Sequence, residues 1–130
     1  MTKLEEARAF FQKDRFATEN GAVIDEIGAN YAVCTLALTE HHRNAMGNIM
    51  GGVVFMLADF AFAVAANFQR RPTVSGTSQI TFLRSARGNT LTARAELLRE
   101  GRRQVYGEVS VTDETGALVA RVTASGSVIA

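Results

Sequence analysis

Tryptophan is absent from this 130-residue chain, proline and cysteine each occur once, and neither sign of charge dominates. Each shortage excludes something. A lone cysteine, Cys34, cannot close an intramolecular disulfide, so stability has to come from a hydrophobic core, for which one domain spanning residues 1–130 is long enough. With 14 Lys+Arg against 13 Asp+Glu the formal charge is +1, which gives no electrostatic basis for binding nucleic acid. The longest apolar run, Val53–Ala66, is interrupted by Asp59 and is shorter than the ~20 residues a bilayer requires, so no membrane span is expected. Glu5, Glu6, Arg8, Lys13, Asp14 and Arg15 leave no room for a signal-peptide core near the start, and a cytoplasmic location is expected.

Histidine is scarce as well. The only two, His41 and His42, are adjacent in a polar loop with no cysteine or carboxylate completing a ligand set, so no metal site and no cofactor are expected. Both rings are read as solvent-exposed or in contact with a neighbouring subunit.

What the chain does have is clear periodicity. Thr2 and Glu5 have capping-box spacing, and Leu4, Ala7, Phe10, Phe11 and Phe16 follow a helical stripe that predicts a short N-terminal helix packed on the edge of the core. Ala22–Ile27 and Tyr31–Leu38 read as a hairpin across Gly28-Ala29-Asn30. Inside its second strand Cys34 is expected to be a buried, inert thiol. A long helix over Val53–Ala66 follows and must stop before Pro72.

Beyond Pro72 the period becomes two. Val74–Leu83 precedes three alternating segments, in which Leu91, Ala93, Ala95 and Leu97, then Val105, Val109 and Val111, then Leu118, Ala120, Val122 and Ala124 share a face. Gly88-Asn89, Glu100-Gly101 and Thr115-Gly116 supply turns, and these four strands are expected to form a meander. The fold class is α+β: an antiparallel sheet of about six strands wrapped around one long central helix, with a short N-terminal helix. That is the hotdog architecture.

Two features carry chemistry. Gly51-Gly52 ahead of the long helix exposes backbone N–H groups at the positive end of a helix dipole, a place for a carbonyl oxygen or oxyanion. Asp59 stands alone in an apolar helix, where Phe55, Met56, Phe62 and Ala63 at helical spacing cannot pair with a carboxylate. Eight residues separate Gly51 from Asp59, about 12 Å along a helix, too far for one carbonyl group to touch both. If they act together, they come from different subunits across a two-fold axis, in a homodimer or a dimer of dimers.

These residues resemble the hotdog-fold acyl-CoA thioesterases, in particular the phenylacetate-pathway (PaaI-like) branch. The resemblance rests on Asn44 in H-R-N-A-M-G, on Gly51-Gly52 followed by Asp59, and on the strand I-T-F-L-R-S-A from Ile80 to Ala86, and it extends from about Ala22 onward. It implies hydrolysis of an aromatic or medium-chain acyl-CoA. The Gly51 N–H would hold the thioester carbonyl, Asp59 of the other subunit would be nucleophile or general base, and Asn44 would orient substrate or water. A serine or threonine on the strand after the helix helps position water in related enzymes, which implies Ser75, with Thr77 one pleat further as a substrate contact. Gly52 and Met50 flank the carbonyl site, Met50 replacing a histidine usual in the family. Arg84 and Arg87 at the strand end are implied contacts for the CoA phosphates, for which a guanidinium fork is suited. The alternatives are an acyl-CoA-binding hotdog protein without catalysis, mildly favoured by Met50, and a hotdog dehydratase using His42, whose loop lacks the Pro/Gly setting of that family.

Overall fold

The computed structural model describes residues 1–129. Helices α1 (Lys3–Phe11) and α2 (Arg15–Glu19) lead into β1 (Ala22–Ile27) and β2 (Tyr31–Ala37), followed by a 3-10 turn at Glu40–His42 and the long helix α3 (Gly51–Asn67). Strands β3 (Thr73–Phe82), β4 (Thr90–Glu100), β5 (Gln104–Asp113) and β6 (Leu118–Val128) complete the chain. Among the described residues no helix is long and apolar enough to cross a membrane.

All six strands form one antiparallel sheet in the order β1-β2-β4-β5-β6-β3. The core lies between this sheet and α3. Ala32, Cys34, Ala93 and Ala95, paired across β2 and β4, are fully buried small side chains that let a helix carrying Leu57 and Phe62 approach closely. Gly107 is needed for the same approach, since a Cβ there would stand 2.6 Å from the Glu96 carbonyl oxygen and 3.1 Å from the Phe62 ring. Each large apolar side chain so buried contributes roughly 1.5–3 kcal/mol.

The expected meander holds for β4, β5 and β6 but not for β3, which pairs with β6 at the far edge. The helix causes this. It crosses the sheet from the β1–β2 side and delivers the chain at the opposite edge, where Asn67 bonds the Ala63 carbonyl (2.9 Å) and accepts the Thr73 N–H (2.7 Å), joining helix end to strand start. The connection after β3 then returns to the middle of the sheet.

The N-terminal stripe also departs from expectation. Thr2 and Glu5 do form the capping box, but the helix breaks at Gln12–Asp14 into α1 and α2. Ala7, Phe11 and Ala17 are buried, whereas Phe10 is 57% and Phe16 76% exposed. Arg8 donates to the Ile24 carbonyl at 2.8 Å, so α1 rests on β1. Cys34 is buried as expected, and burial, with the Asp25 charge adding to it, pushes its thiol up to about 12. It has no thiolate to offer.

Candidate active site

Helix α3 has two working faces. One stripe packs on the sheet, while Gly52, Phe55, Met56, Asp59, Phe60 and Ala63, at three- and four-residue spacing, line a cleft of about 320 Å³ closed on its other side by Asp14, Phe16 and Ala17 of the α2 segment. Asp59 is therefore half-buried rather than sealed in. Burial by these apolar walls pushes its carboxyl above the usual range, the nearby Ser75 hydroxyl opposes the rise, and the Asp14 charge adds to it.

Ser75 reaches Asp59 from β3, but Thr77 does not follow it. A bulge at Gly76 sets Ser75 opposite Gly126 and Thr77 opposite Ser125, consecutive residues of β6, so the strict alternation expected between Ser75 and Thr77 is broken there. Thr77 lines neither of the clefts described here.

Gly51 opens on the other side. It lines a second cleft of about 370 Å³ together with Asn44, Asn48, Phe82, Arg84 and Ser85, and Asp59 is not part of that cleft. Helix α3 is continuous between Gly51 and Asp59, so the axial separation of about 12 Å stands. Met50 is the N-cap and supplies no side-chain cap, while the first backbone bonds of the helix run from Val53 (3.0 Å) and Val54 (3.4 Å) to the Met50 carbonyl. The Gly51 and Gly52 N–H groups have no partner among the described residues and stay available at the positive end of the helix. The Met50 side chain takes up neither donor.

The Asn44 side-chain oxygen accepts the N–H groups of Met46 (3.0 Å) and Asn48 (3.1 Å), folding the loop beneath Gly51. Its amide NH₂ remains to donate into the cleft. His42 is not exposed, contrary to expectation. Its Nδ1 accepts the Thr39 N–H at 3.0 Å and its Nε2 meets the Asn20 carbonyl at 3.0 Å, so both nitrogens hold the loop against the β1 end and neither is free for a metal or for acid–base work. A dehydratase role for His42 has no support in this geometry. Among the described residues no group of three or more His, Cys, Asp or Glu side chains is arranged to hold a metal ion.

Of the arginines, Arg84 lines the Gly51 cleft and Arg87 does not, although the Arg87 N–H is bonded nearby. Arg70 is occupied elsewhere, by Glu100, the Ala29 carbonyl and Asn30. Arg84 is organised by a residue that no motif in the sequence singles out. Buried Asp113 at the end of β5 accepts from the Arg87 N–H (2.9 Å), the Thr115 N–H (2.9 Å) and the Thr115 hydroxyl (2.6 Å), and it lies 3.5 Å from the Arg84 guanidinium. The only signal for it was Asp113 two residues before Thr115 in a glycine turn, an ordinary turn pattern.

Those bonds, the Thr115 hydroxyl foremost, hold the Asp113 carboxyl down at about 2. A depressed carboxyl stabilises the fold fully above its unfolded value near 3.8 and loses that contribution as pH falls towards 2. Acid titration followed by circular dichroism should therefore show Asp113→Asn with a flatter stability loss between about pH 4 and 2 than the parent.

Residues 46–120 match the model of the thioesterase superfamily. The chain is 32% identical over 117 residues to the acyl-coenzyme A thioesterase PaaI of Escherichia coli K12, covering 89% of this chain and 84% of that protein. The chain belongs to the thioesterase superfamily. Human acyl-coenzyme A thioesterase 13 is 30% identical over 93 residues, covering 68% of this chain and 66% of that protein. The solved structure of E. coli PaaI, from a phenylacetic acid degradation operon, superposes with a TM-score of 0.92 at 29% identity, covering 98% of this chain and 94% of that one. Membership of the superfamily, with acyl-coenzyme A thioesterases among its relatives, makes this protein a thioester hydrolase of hotdog fold, as the resemblance implied.

Proposed function

We propose that this superfamily member hydrolyses acyl-CoA thioesters at a site shared between two copies of the chain, Asp59 and Ser75 coming from one and Gly51 and Asn44 from the other. The observation that carries the reading is the division of these residues between two clefts of a single chain, Asp59 in one and Gly51 with Asn44 in the other. Strand β3 supports it. Its outer edge is open, its ten residues contain no charge, and Val74, Phe82 and Leu83 are exposed on it or just beyond it, so it is the edge suited to pairing with its own copy about a two-fold axis. The opposite edge, β1, is short, bulged, acidic at Asp25 and Glu26, and covered by α1.

In the reaction the thioester oxygen rests on the Gly51 N–H, where charge develops. Asp59, with its carboxyl raised by burial, either takes a proton from water as the hydroxide adds to the carbonyl carbon, or adds to that carbon itself to give an anhydride that water then cleaves. Either way the C–S bond breaks, CoA leaves as its thiolate, and the acid is released. Ser75 orients Asp59 or the water, and Asn44 holds the substrate with its amide. Arg84, steadied by Asp113, is the residue placed to meet CoA phosphate. Apolar walls at Phe16, Phe55 and Phe60 suit an aromatic or medium-length acyl chain. The whole of residues 1–130 acts as one catalytic domain in the cytoplasm, a compartment in keeping with a free buried Cys34.

Thiol release tests the function directly. With a panel of short, medium and aromatic acyl-CoAs, free CoA should appear in step with acid, fastest for uncharged apolar acyl groups. Because Met50 brings no donor, the competing reading is an acyl-CoA-binding protein without catalysis. Calorimetric binding of acyl-CoA with no thiol released would favour it over hydrolysis.

A further inference from the structure

Asp14 occupies the N-cap position of α2, where aspartate ordinarily accepts a backbone N–H of the first turn. Here its side chain makes no such bond. The backbone carbonyl of Asp14 does the local work instead, accepting the Thr18 N–H at 3.0 Å and the Thr18 hydroxyl at 3.1 Å. Its carboxylate forms no hydrogen bond and no ion pair among the described residues, yet it lines the same cleft as Asp59.

The cations nearest in sequence do not compensate it. Lys13 sets its ammonium 5.4 Å from the Phe10 ring centroid, and Arg15 is paired with Glu19. Among the described residues of this chain no lysine, arginine or histidine lines the cleft. Two carboxylates thus face one space with otherwise largely apolar walls, where field lines are focused rather than screened. The carboxyl of Asp14 is itself raised by burial, and its charge contributes to the raised carboxyl of Asp59, so the two are within electrostatic reach. The only other polar group known to act on Asp59 is the uncharged Ser75.

We infer that Asp14 is a specificity-determining residue of this cleft, a charge filter that admits uncharged acyl groups and rejects those ending in a carboxylate. The inference depends on the cleft being the acyl site proposed above. An acyl group bound against Asp59 and running along the Phe16 and Phe55 walls comes towards Asp14, where a terminal anion meets a like charge with no cation of the same chain lining the cleft. Within about 8 Å, even at an effective dielectric constant near 20, and after allowance for screening through the open mouth, such repulsion amounts to about tenfold in kcat/KM.

Adipoyl-CoA and hexanoyl-CoA have the same carbon count and differ in a terminal carboxylate, so the ratio of their kcat/KM values, measured by thiol release and corrected for spontaneous hydrolysis, reads the filter. The parent should strongly prefer hexanoyl-CoA. Asp14→Asn should raise the adipoyl-to-hexanoyl ratio about tenfold, Asp14→Lys further, and Asp14→Glu should keep the parent ratio. A purely structural role for Asp14 would depress both substrates together and leave the ratio unmoved, which overturns the inference, as does a parent that turns over both equally. Hydrolysis of hexanoyl-CoA that disappears in Asp59→Ala, with an unmoved ratio in the Asp14 variants, removes the filter alone. Failure of the parent to release thiol from either substrate removes the acyl-site reading and the filter with it.

Discussion

Asp59→Asn should lower kcat/KM for acyl-CoA hydrolysis by ~10²–10⁴ while leaving the melting temperature unchanged or higher. The loss follows because asparagine keeps the volume and a polar group beside Ser75 but can neither accept a proton from water nor attack a carbonyl. The stability follows from the sign of the shift. Burial raises the Asp59 carboxyl, so its neutral form suits the folded state and its contribution to stability is lost as pH rises through the folded value. At neutral pH the carboxylate is therefore a cost that asparagine removes, the trade between activity and stability expected of a functional charge. The same shift should place the acid limb of the kcat/KM profile above the ordinary aspartate range. A variant that is both inactive and unfolded by calorimetry would contradict the assignment, as would one that is fully active.

Gly51→Pro should reduce kcat/KM by ~10²–10³, and Gly51→Ala by much less. Proline is tolerated at the first residue of a helix because no intrahelical bond is taken from it, so Gly51→Pro deletes the N–H without breaking α3. Alanine is the control for bulk. Any Cβ at position 51 stands 3.0 Å from the tip of the Phe82 ring, a half-exposed side chain able to shift, and both variants carry that disturbance. What separates them is chiefly the donor. Equal losses in the two, measured by thiol release with retained helicity, would assign Gly51 to packing rather than to the oxyanion.

Much of this arrangement is legible in the residues, and the parts that are not have physical causes. Alternation at Leu91–Leu97 and Val105–Val111 identifies buried strand faces because one sheet face is covered by one helix. The same alternation says nothing about pairing order. Strand β3 reads like its neighbours, and its position at the free edge is decided by where α3 releases the chain. His42 in a polar loop looks exposed because its two partners, Thr39 and the Asn20 carbonyl, include one distant in sequence. Asp59 is conspicuous as the single charge in an apolar helix. Asp14 is not, because an aspartate opening a helix has a ready local explanation that the structure does not use. Asp113 is concealed in the same way, by a turn motif that also reaches Arg84 across the β3–β4 connection.

Subunit complementation reports most directly on whether the site is shared. Asp59→Ala and Gly51→Pro, each inactive alone, would be co-expressed with different tags and mixed dimers recovered through both. If Asp59 of one copy works with Gly51 of the other, each mixed dimer holds one intact site, and random pairing restores about a quarter of wild-type thiol release to the unfractionated mixture. If both groups act within one chain, the mixed dimers stay as inactive as their parents.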